Sequence, residues 1–259
     1  MVSGGTAFLM YHELGLAGRP LCQQEPGYAR YAVPFDDFRS HMQRLATDGW
    51  RGKSVSEAVV SYGRESVCIT FDDGCETDLL CAAPVLKELG FGATFYITLG
   101  FLGKPGYMSE AQVSDLSALG FEIGCHSQTH PYLTDIDNGR LRDETAGAKE
   151  RLEQIVGVPV QHFSCPGGRW DQRVSEQVRK AKFQTMATSR TGMNFASTNL
   201  FDLKRVAVLD GTGPETVVRI CRGEGLLRAQ LKENVREFAK QILGNSGYDS
   251  LRRKVLGRK

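Results

Sequence analysis

Residues 66–74 read Ser66-Val67-Cys68-Ile69-Thr70-Phe71-Asp72-Asp73-Gly74, an apolar run that ends in two adjacent acids and a glycine. Valine, isoleucine, threonine and phenylalanine favour a β-strand, and glycine favours the turn that ends it. The stretch therefore predicts a buried strand over 66–71 that is followed directly by Asp72 and Asp73. By itself an Asp-Asp-Gly segment is most often a plain loop that caps a helix. Whether the two acids are functional therefore depends on motifs elsewhere in the chain.

Six further runs of this kind alternate with segments that carry helix signals, which predicts a parallel sheet connected by helices. The seven predicted strands are residues 7–11, 66–71, 93–98, 121–125, 161–164, 183–187 and 205–208. The predicted helical segments include residues 35–48, 79–89 and 141–156, with capping boxes at Ser54/Glu57 and Ser109/Gln112. Seven strands is a barrel-like number, and catalytic groups of barrels lie at the carboxyl ends of the strands.

At 259 residues the chain fits one barrel-sized domain with an appendage better than two small domains. We assign residues 1–212 to the barrel and residues 213–259 to a helical C-terminal extension. The extension is basic, because residues 215–259 contain 11 Lys and Arg against 5 Asp and Glu, while the whole chain has a net charge of +2.

Three helices are predicted within the extension, at residues 214–222, 226–243 and 248–256. Their apolar face is expected to pack on the barrel or on a second subunit, as in a homo-oligomer. The alternative is a peripheral contact with an anionic membrane through the basic face. Nucleic acid is not expected as a partner.

The compartment is predicted from the start of the chain and from its cysteines. The first residues lack the basic and long apolar segments of a signal peptide, and no apolar stretch approaches the roughly 20 residues of a membrane span. Seven cysteines at irregular spacings, without a CxxC pair, indicate reduced thiols rather than a disulfide framework. These features predict a cytoplasmic protein, which the basic extension could associate with a membrane.

His126 and His130 are four residues apart, in the segment His126-Ser127-Gln128-Thr129-His130. An extended strand would separate them by about 13 Å. Two imidazoles on one metal ion need nitrogens within about 4 Å of each other, because a Zn–N bond is about 2.1 Å long. A shared metal therefore requires a turn between them. Beside the Asp72–Asp73 pair the spacing predicts a catalytic metal site, and two structural histidines at a strand end are the alternative.

Three motifs resemble the signatures of the polysaccharide deacetylases, also called the NodB-homology domain or carbohydrate esterase family 4. They are the Thr70–Gly74 segment, the His126–His130 motif and the Pro166-Gly167-Gly168 loop, in this order. The likeness covers roughly residues 6–210. It implies a distorted (β/α)7 barrel, a TIM-like fold of the NodB-homology type.

The resemblance also implies roles for particular residues. Asp73, His126 and His130 would hold one divalent metal ion, and Asp72 would act as the general base that takes a proton from the attacking water. A backbone N–H near Gly74 or Cys75 would help to stabilise the oxyanion.

Ser164 stands where many family members have an arginine, two positions before Pro166, that pairs with the base aspartate. Arg169 would either replace that arginine in part or contact the substrate, with an exposed surface arginine as the alternative. Trp170 would form a wall of the substrate site or pack in the core. The expected substrate-binding residues are Gly74, Cys75, Pro166, Gly167, Gly168, Arg169 and Trp170.

The late histidine that serves as general acid in many members is also missing, because no histidine follows His162. His12 ends the first predicted strand, and a comparable Tyr-His near the amino terminus supplies the acid in the branch that de-N-acetylates exopolysaccharides. The resemblance therefore assigns the acid to His12, with a structural histidine as the alternative. His41, in the helical segment 35–48, is expected at the surface, and His162 in the core or at the rim.

The sequence thus predicts a metal-dependent N-deacetylase that hydrolyses the acetamide of an N-acetylated amino sugar during assembly of a polysaccharide, lipopolysaccharide or other glycoconjugate. The sugar is free, nucleotide-linked, lipid-linked or polymeric. Zn²⁺ is the first expectation for the metal, with Co²⁺, Ni²⁺ or Fe²⁺ as alternatives. The rival interpretations are a deformylase or small-molecule amidohydrolase of the same superfamily, and a non-catalytic carbohydrate-binding barrel.

Overall fold

A mostly parallel sheet, covered by helices, forms the framework of the computed structural model, which describes residues 4–25, 27–63, 65–226 and 230. The strands are β1 (Thr6–Tyr11), β2 (Leu14–Gly15), β3 (Val33–Pro34), β4 (Arg51–Lys53), β5 (Ser66–Phe71), β6 (Thr94–Ile97), β7 (Glu122–Cys125), β8 (His162–Ser164), β9 (Thr185–Ala187), β10 (Met193–Asn194) and β11 (Val206–Ala207). The α-helices are α1 (Phe35–Thr47), α2 (Val55–Val60), α3 (Ala83–Glu88), α4 (Glu110–Ala118), α5 (Asn138–Arg142), α6 (Ala148–Val156), α7 (Gln172–Lys180) and α8 (Pro214–Cys221).

The main sheet follows the order β10-β1-β5-β6-β7-β8-β9, and each neighbouring pair from β1 to β9 is parallel. The segment after β10 joins the two ends of this sheet. The Leu203 N–H donates to the Met186 carbonyl at 3.0 Å on one side, and the Val208 N–H donates to the Met10 carbonyl at 3.0 Å on the other. The sheet therefore curls into a distorted barrel, and the predicted α/β barrel architecture is confirmed.

Strand β5 shows why this sequence forms the centre of the sheet. All six of its residues are buried, and successive side chains of a strand point to opposite faces. Val67, Ile69 and Phe71 join the large apolar cluster that also contains the buried faces of the helices, whereas Cys68 joins a smaller cluster on the other face. A strand covered on both sides reads as a continuous apolar run, which is what the sequence displays.

All seven predicted strands are present, and four shorter ones were missed. Strands β2, β3, β4 and β10 contain two or three residues each, too few for an alternating pattern to show. Both predicted capping boxes are confirmed, at Ser54 and at Ser109.

Two of the predicted helical segments contain π-helical turns. Asp78–Ala82 is a π-helix that continues into α3, and Asp143–Gly147 is a π-helix between α5 and α6. Such turns are frequent at functional sites, and each of these two contains a buried carboxylate described below.

The expectation that His41 lies at the surface is wrong. Its side chain is fully buried on α1, where its Nδ1 lies 3.2 Å from the Tyr11 hydroxyl and its Nε2 lies 2.6 Å from the Thr212 carbonyl. Phe38, Met42 and Leu45 share the buried face of α1 with His41. This helical spacing was visible in the sequence and would have placed His41 inside. His162 is also buried, as expected.

The described part of the C-terminal extension packs on the barrel. Val217, Val218 and Cys221 of α8 belong to the main apolar cluster. The helix predicted at 226–243 lies outside the described residues except for Leu226 and Gln230, and the helix predicted at 248–256 lies wholly outside them.

No helix within the described ranges is both long and apolar enough to cross a membrane.

Candidate active site

Polar side chains gather where the parallel strands end. Asp72 follows β5, and its N–H donates to the Tyr11 carbonyl at 3.0 Å, so it lies beside the end of β1, where His12 follows. His126 follows β7, and its N–H donates to the Ile97 carbonyl of β6 at 2.8 Å. These contacts bring residues from distant parts of the chain to one end of the barrel.

Asp73, His126 and His130, here called the histidine cluster, lie together as the sequence predicts. One ligand atom from each lies within 4.8 Å of the other two. Asp73 Oδ1 is 3.6 Å from His126 Nε2 and 3.5 Å from His130 Nε2. The three side chains therefore present two nitrogens and one oxygen to a common point.

The approach of the two imidazoles depends on a left-handed bend rather than on a helical turn. Ser127 and His130 have positive φ angles of 69° and 63°, and Asp73 has one of 82°. The Ser127 hydroxyl accepts a hydrogen bond from the His130 N–H at 3.0 Å. Positive φ is uncommon for residues other than glycine and clusters at functional sites. Three such residues are thus gathered around one candidate metal site.

Glu144, which was not singled out from the sequence, stabilises this bend through hydrogen bonds. Its carboxylate is buried and accepts hydrogen bonds from the N–H groups of Gln128 at 2.9 Å and Thr129 at 2.7 Å. It lies in the π-helical turn Asp143–Gly147. A glutamate within a helical pattern gives no sequence signal of this role, because its partners lie in a separate loop.

The histidine cluster fits a divalent metal ion. The His126 Nδ1 lies 2.8 Å from the Ser164 carbonyl. A carbonyl can only accept, so Nδ1 carries the proton and Nε2 offers its lone pair to the cluster. Burial lowers the pKa of His126 to about 3, so this imidazole is neutral near pH 7.

The Asp73 carboxylate adds a further reason to place a cation there. Its Oδ1 is buried without a hydrogen-bond partner among the described residues. Burial raises the pKa of Asp73 to about 6, because electrostatic attraction to His12 and Arg205 offsets only part of the cost of desolvating the carboxylate. A divalent cation would supply the missing partner.

Asp72, the neighbour of Asp73, has a different environment. Arg205 donates from Nη1 to Asp72 Oδ1 and from Nη2 to Asp72 Oδ2, both at 2.7 Å. Arg205 Nη2 also lies 2.7 Å from the Ser164 hydroxyl, and the guanidinium is fully buried. Burial by itself would raise the pKa of Asp72, but the charge of Arg205 and its hydrogen bonds to the carboxylate outweigh it and hold the pKa below its ordinary value. Asp72 is therefore an ionised carboxylate in a fixed orientation.

Arg205 takes the place of the arginine that is missing at Ser164. The Arg169 guanidinium stacks over the ring of Tyr132, 3.8 Å from its centroid, and a partial replacement of that arginine by Arg169 stays a prediction. Contact between Arg169 and substrate stays a prediction. The sequence predicts that Arg205 lies in a strand, but it gives no sign that Asp72 is its partner.

His12 lies beside both acids. Its ring packs against Tyr31, with centroids 4.8 Å apart, and it interacts electrostatically with Asp72 and Asp73. Its Nδ1 is buried without a hydrogen-bond partner among the described residues. The structure thus places His12 where the sequence analysis expected it, and its role as an acid stays a prediction.

The expected substrate-binding residues line two loops. Gly74 has a φ of 85°, and Gly167 and Gly168 have φ angles of 61° and 67°, so all three adopt the conformation that glycine tolerates best. Cys75 and Pro166 are buried, and Trp170 is half-buried against the main apolar cluster. Packing therefore accounts for part of the Trp170 surface.

Comparison with known proteins agrees with this geometry. The polysaccharide deacetylase family model matches residues 60–186, which include Asp72, Asp73, His126 and His130. The protein YxkH of Bacillus subtilis (strain 168), which bears the name of a polysaccharide deacetylase, is 26% identical over 209 residues that cover 78% of this chain and 71% of that protein. The family model and this relative support membership of the polysaccharide deacetylase family, and with it polysaccharide deacetylase activity, the hydrolysis of an amide.

Two further relatives extend the comparison. The chitooligosaccharide deacetylase of Azorhizobium caulinodans is 27% identical over 168 residues, which cover 64% of this chain and 78% of that protein. The Streptococcus pyogenes deacetylase PplD, solved in complex with acetate, has a similar fold, with a TM-score of 0.74 and 21% identity over 84% of this chain and 98% of that chain.

We predict that Arg205→Met lowers the free energy of unfolding by about 3–5 kcal/mol, because it leaves the buried Asp72 carboxylate without its counter-charge. Combining it with Asp72→Asn should recover part of this loss, as measured by urea unfolding in a double-mutant cycle. Arg190→Met removes the exposed ion pair with Asp202 and should cost less than about 1 kcal/mol. Strictly additive effects of Arg205→Met and Asp72→Asn would contradict the coupling.

Glu144→Gln should weaken Zn²⁺ binding by the histidine cluster about 10–100-fold, the usual effect of losing a group that orients metal ligands. The amide can no longer accept from two backbone N–H groups with the strength of a carboxylate. Competition with a chromophoric chelator measures the affinity. Glu150→Gln, at an exposed position on the neighbouring α6, is the matched control. Equal affinities in both variants would show that Glu144 does not shape the site.

Proposed function

We propose that the chain is a metal-dependent N-deacetylase that hydrolyses the acetamide of an N-acetylated amino sugar. The observation that carries the proposal is the contrast between two adjacent carboxylates. Asp72 is held by a buried arginine, whereas Asp73 turns an unpartnered oxygen toward two imidazoles. One carboxylate is arranged for proton transfer and the other for metal binding.

The residues of the site account for each part of the reaction. Asp73, His126 and His130 would hold the metal ion, which when bound polarises the amide carbonyl as a Lewis acid. Asp72 accepts a proton from the attacking water, and Arg205 keeps its carboxylate ionised and oriented. His12 gives a proton to the departing amine as the C–N bond breaks, so that acetate and a free amino sugar result.

The family model and the chitooligosaccharide deacetylase among the relatives support this substrate class. We place the reaction in the assembly of a polysaccharide, lipopolysaccharide or other glycoconjugate. The free cysteines of the described chain, most of them buried, support a reducing, cytoplasmic setting. Zn²⁺ is the proposed metal, since two histidines and a carboxylate suit it well.

Treatment with a chelator should abolish acetate release from an N-acetylated oligosaccharide, and added Zn²⁺, Co²⁺ or Ni²⁺ should restore it, because the metal ion that the histidine cluster would hold polarises the amide carbonyl. Enzymatic acetate detection after each step checks this. Formate or ammonia released instead of acetate would favour a different amidohydrolase, and no metal-dependent release from oligosaccharides or nucleotide sugars would favour a binding protein.

His12→Gln should lower turnover at least ~100-fold, the lower range for loss of an acid–base group. The bound metal content, measured by elemental analysis, should stay unchanged, since His12 is not part of the histidine cluster. Turnover close to that of the unchanged chain would remove His12 from the mechanism and leave it a structural histidine.

A further inference from the structure

A second group of side chains able to bind a metal lies outside the histidine cluster. The Glu13 carboxylate and the sulfurs of Cys22 and Cys75 all lie within 4.8 Å of one another. Glu13 and Cys75 are buried and Cys22 is partly buried. The three residues come from the segment after β1, the loop after β2 and the loop after β5, so the fold and not local sequence brings them together.

The contacts around these side chains keep them in place. The Cys22 N–H donates to Glu13 Oε2 at 2.9 Å, and the Cys22 thiol donates to the Gly106 carbonyl at 3.1 Å. The Tyr28 hydroxyl lies 3.7 Å from the Cys75 sulfur. One oxygen of Glu13 and both sulfurs can still bind a cation while the Cys22 N–H keeps its hydrogen bond to Glu13; the Cys22 thiol gives up its hydrogen bond to Gly106 when it loses its proton.

Asp78 gives an independent reason to expect a cation at this place. It is fully buried, and neither of its carboxylate oxygens has a hydrogen-bond partner in the described part of the chain. It lies close enough to Cys22, Cys75 and Glu13 to interact electrostatically with all three. An ionised carboxylate buried without donors costs several kcal/mol unless a positive charge accompanies it, and its neighbours here are acidic groups and thiols.

We propose that Glu13, Cys22, Cys75 and Asp78, here called the cysteine cluster, form a second metal site that takes zinc or a similar divalent cation. Thiolates select such metals over magnesium and calcium, and four protein ligands are typical of a structural zinc site. Ligand atoms on one zinc ion lie about 3.3–3.8 Å apart, so inward shifts of about 1 Å suffice for Glu13, Cys22 and Cys75. Binding releases the two thiol protons to solvent.

The position of the cysteine cluster gives the metal a structural purpose. Glu13 follows His12 directly, and Cys75 lies two residues after Asp73. A metal bound by both would tie the segment after β1 to the loop after β5. Residues that bind the two cations would then lie close together in sequence. The two sites would differ in ligand type, because the histidine cluster offers no sulfur.

Cobalt substitution tests the proposal without any assay of activity. The reduced, metal-free chain is loaded with Co²⁺, and the near-ultraviolet thiolate-to-cobalt charge-transfer band is recorded, since only a site with sulfur ligands produces it. We expect the band in the unchanged chain and in His126→Ala/His130→Ala, and its loss in Cys22→Ser/Cys75→Ser. Cys221→Ser, which removes a buried thiol on α8, is the matched control and should keep the band.

Elemental analysis should find two metal ions in the unchanged chain and one in each double variant. Asp78→Asn preserves the shape of the side chain and should bind Co²⁺ at the cysteine cluster more weakly, with circular dichroism as the check on folding. Absence of the band in the folded, reduced chain, or its persistence in Cys22→Ser/Cys75→Ser, would overturn the proposal. A Cys22–Cys75 disulfide that persists on isolation and excludes metal would also overturn it. Failure of the deacetylase proposal would leave the band unaffected, so the two tests are separate.

Discussion

The ion pair between Asp72 and Arg205 lies at the centre of the barrel, where neither charge can be left alone. A buried guanidinium needs a counter-charge and acceptors for its N–H groups. Arg205 finds both in the Asp72 carboxylate, the Ser164 hydroxyl and the Thr188 carbonyl. These partners belong to or follow three strands, so satisfying one side chain also fixes how β5, β8 and β9 sit around β11. The same contacts orient the carboxylate that the site uses.

Adjacent residues acquire opposite properties because the backbone turns sharply between them. Asp72 continues the line of β5 and points to the arginine, while Asp73, with a φ of 82°, turns toward the imidazoles. The charge of Arg205 therefore compensates one carboxylate more than the other. A pair of acids that looks symmetrical in sequence becomes one group that is always ionised and one that needs an added cation.

Much of the framework and part of the site could be predicted from local patterns. The doubly buried β5 reads as an unbroken apolar run, and the histidine spacing requires a turn that the structure supplies through Ser127. Arg205 could not be paired from sequence alone, because its partner is 133 residues away and arginine in a strand is compatible with an exposed face. Glu144 and the cysteine cluster depend in the same way on contacts between separate loops. The burial of His41, by contrast, could have been predicted, because its helical spacing from Phe38, Met42 and Leu45 is visible in the sequence.

The two π-helical turns share a feature that limits how the length of these helices can change. Each contains one extra residue relative to an α-helix, and each contains a buried carboxylate, Asp78 in one and Glu144 in the other. One residue rotates a helix by about 100°. An insertion or deletion of one residue in such a helix therefore turns the buried carboxylate away from the interior, so these helices are expected to tolerate point changes on their outer faces far better than changes in length.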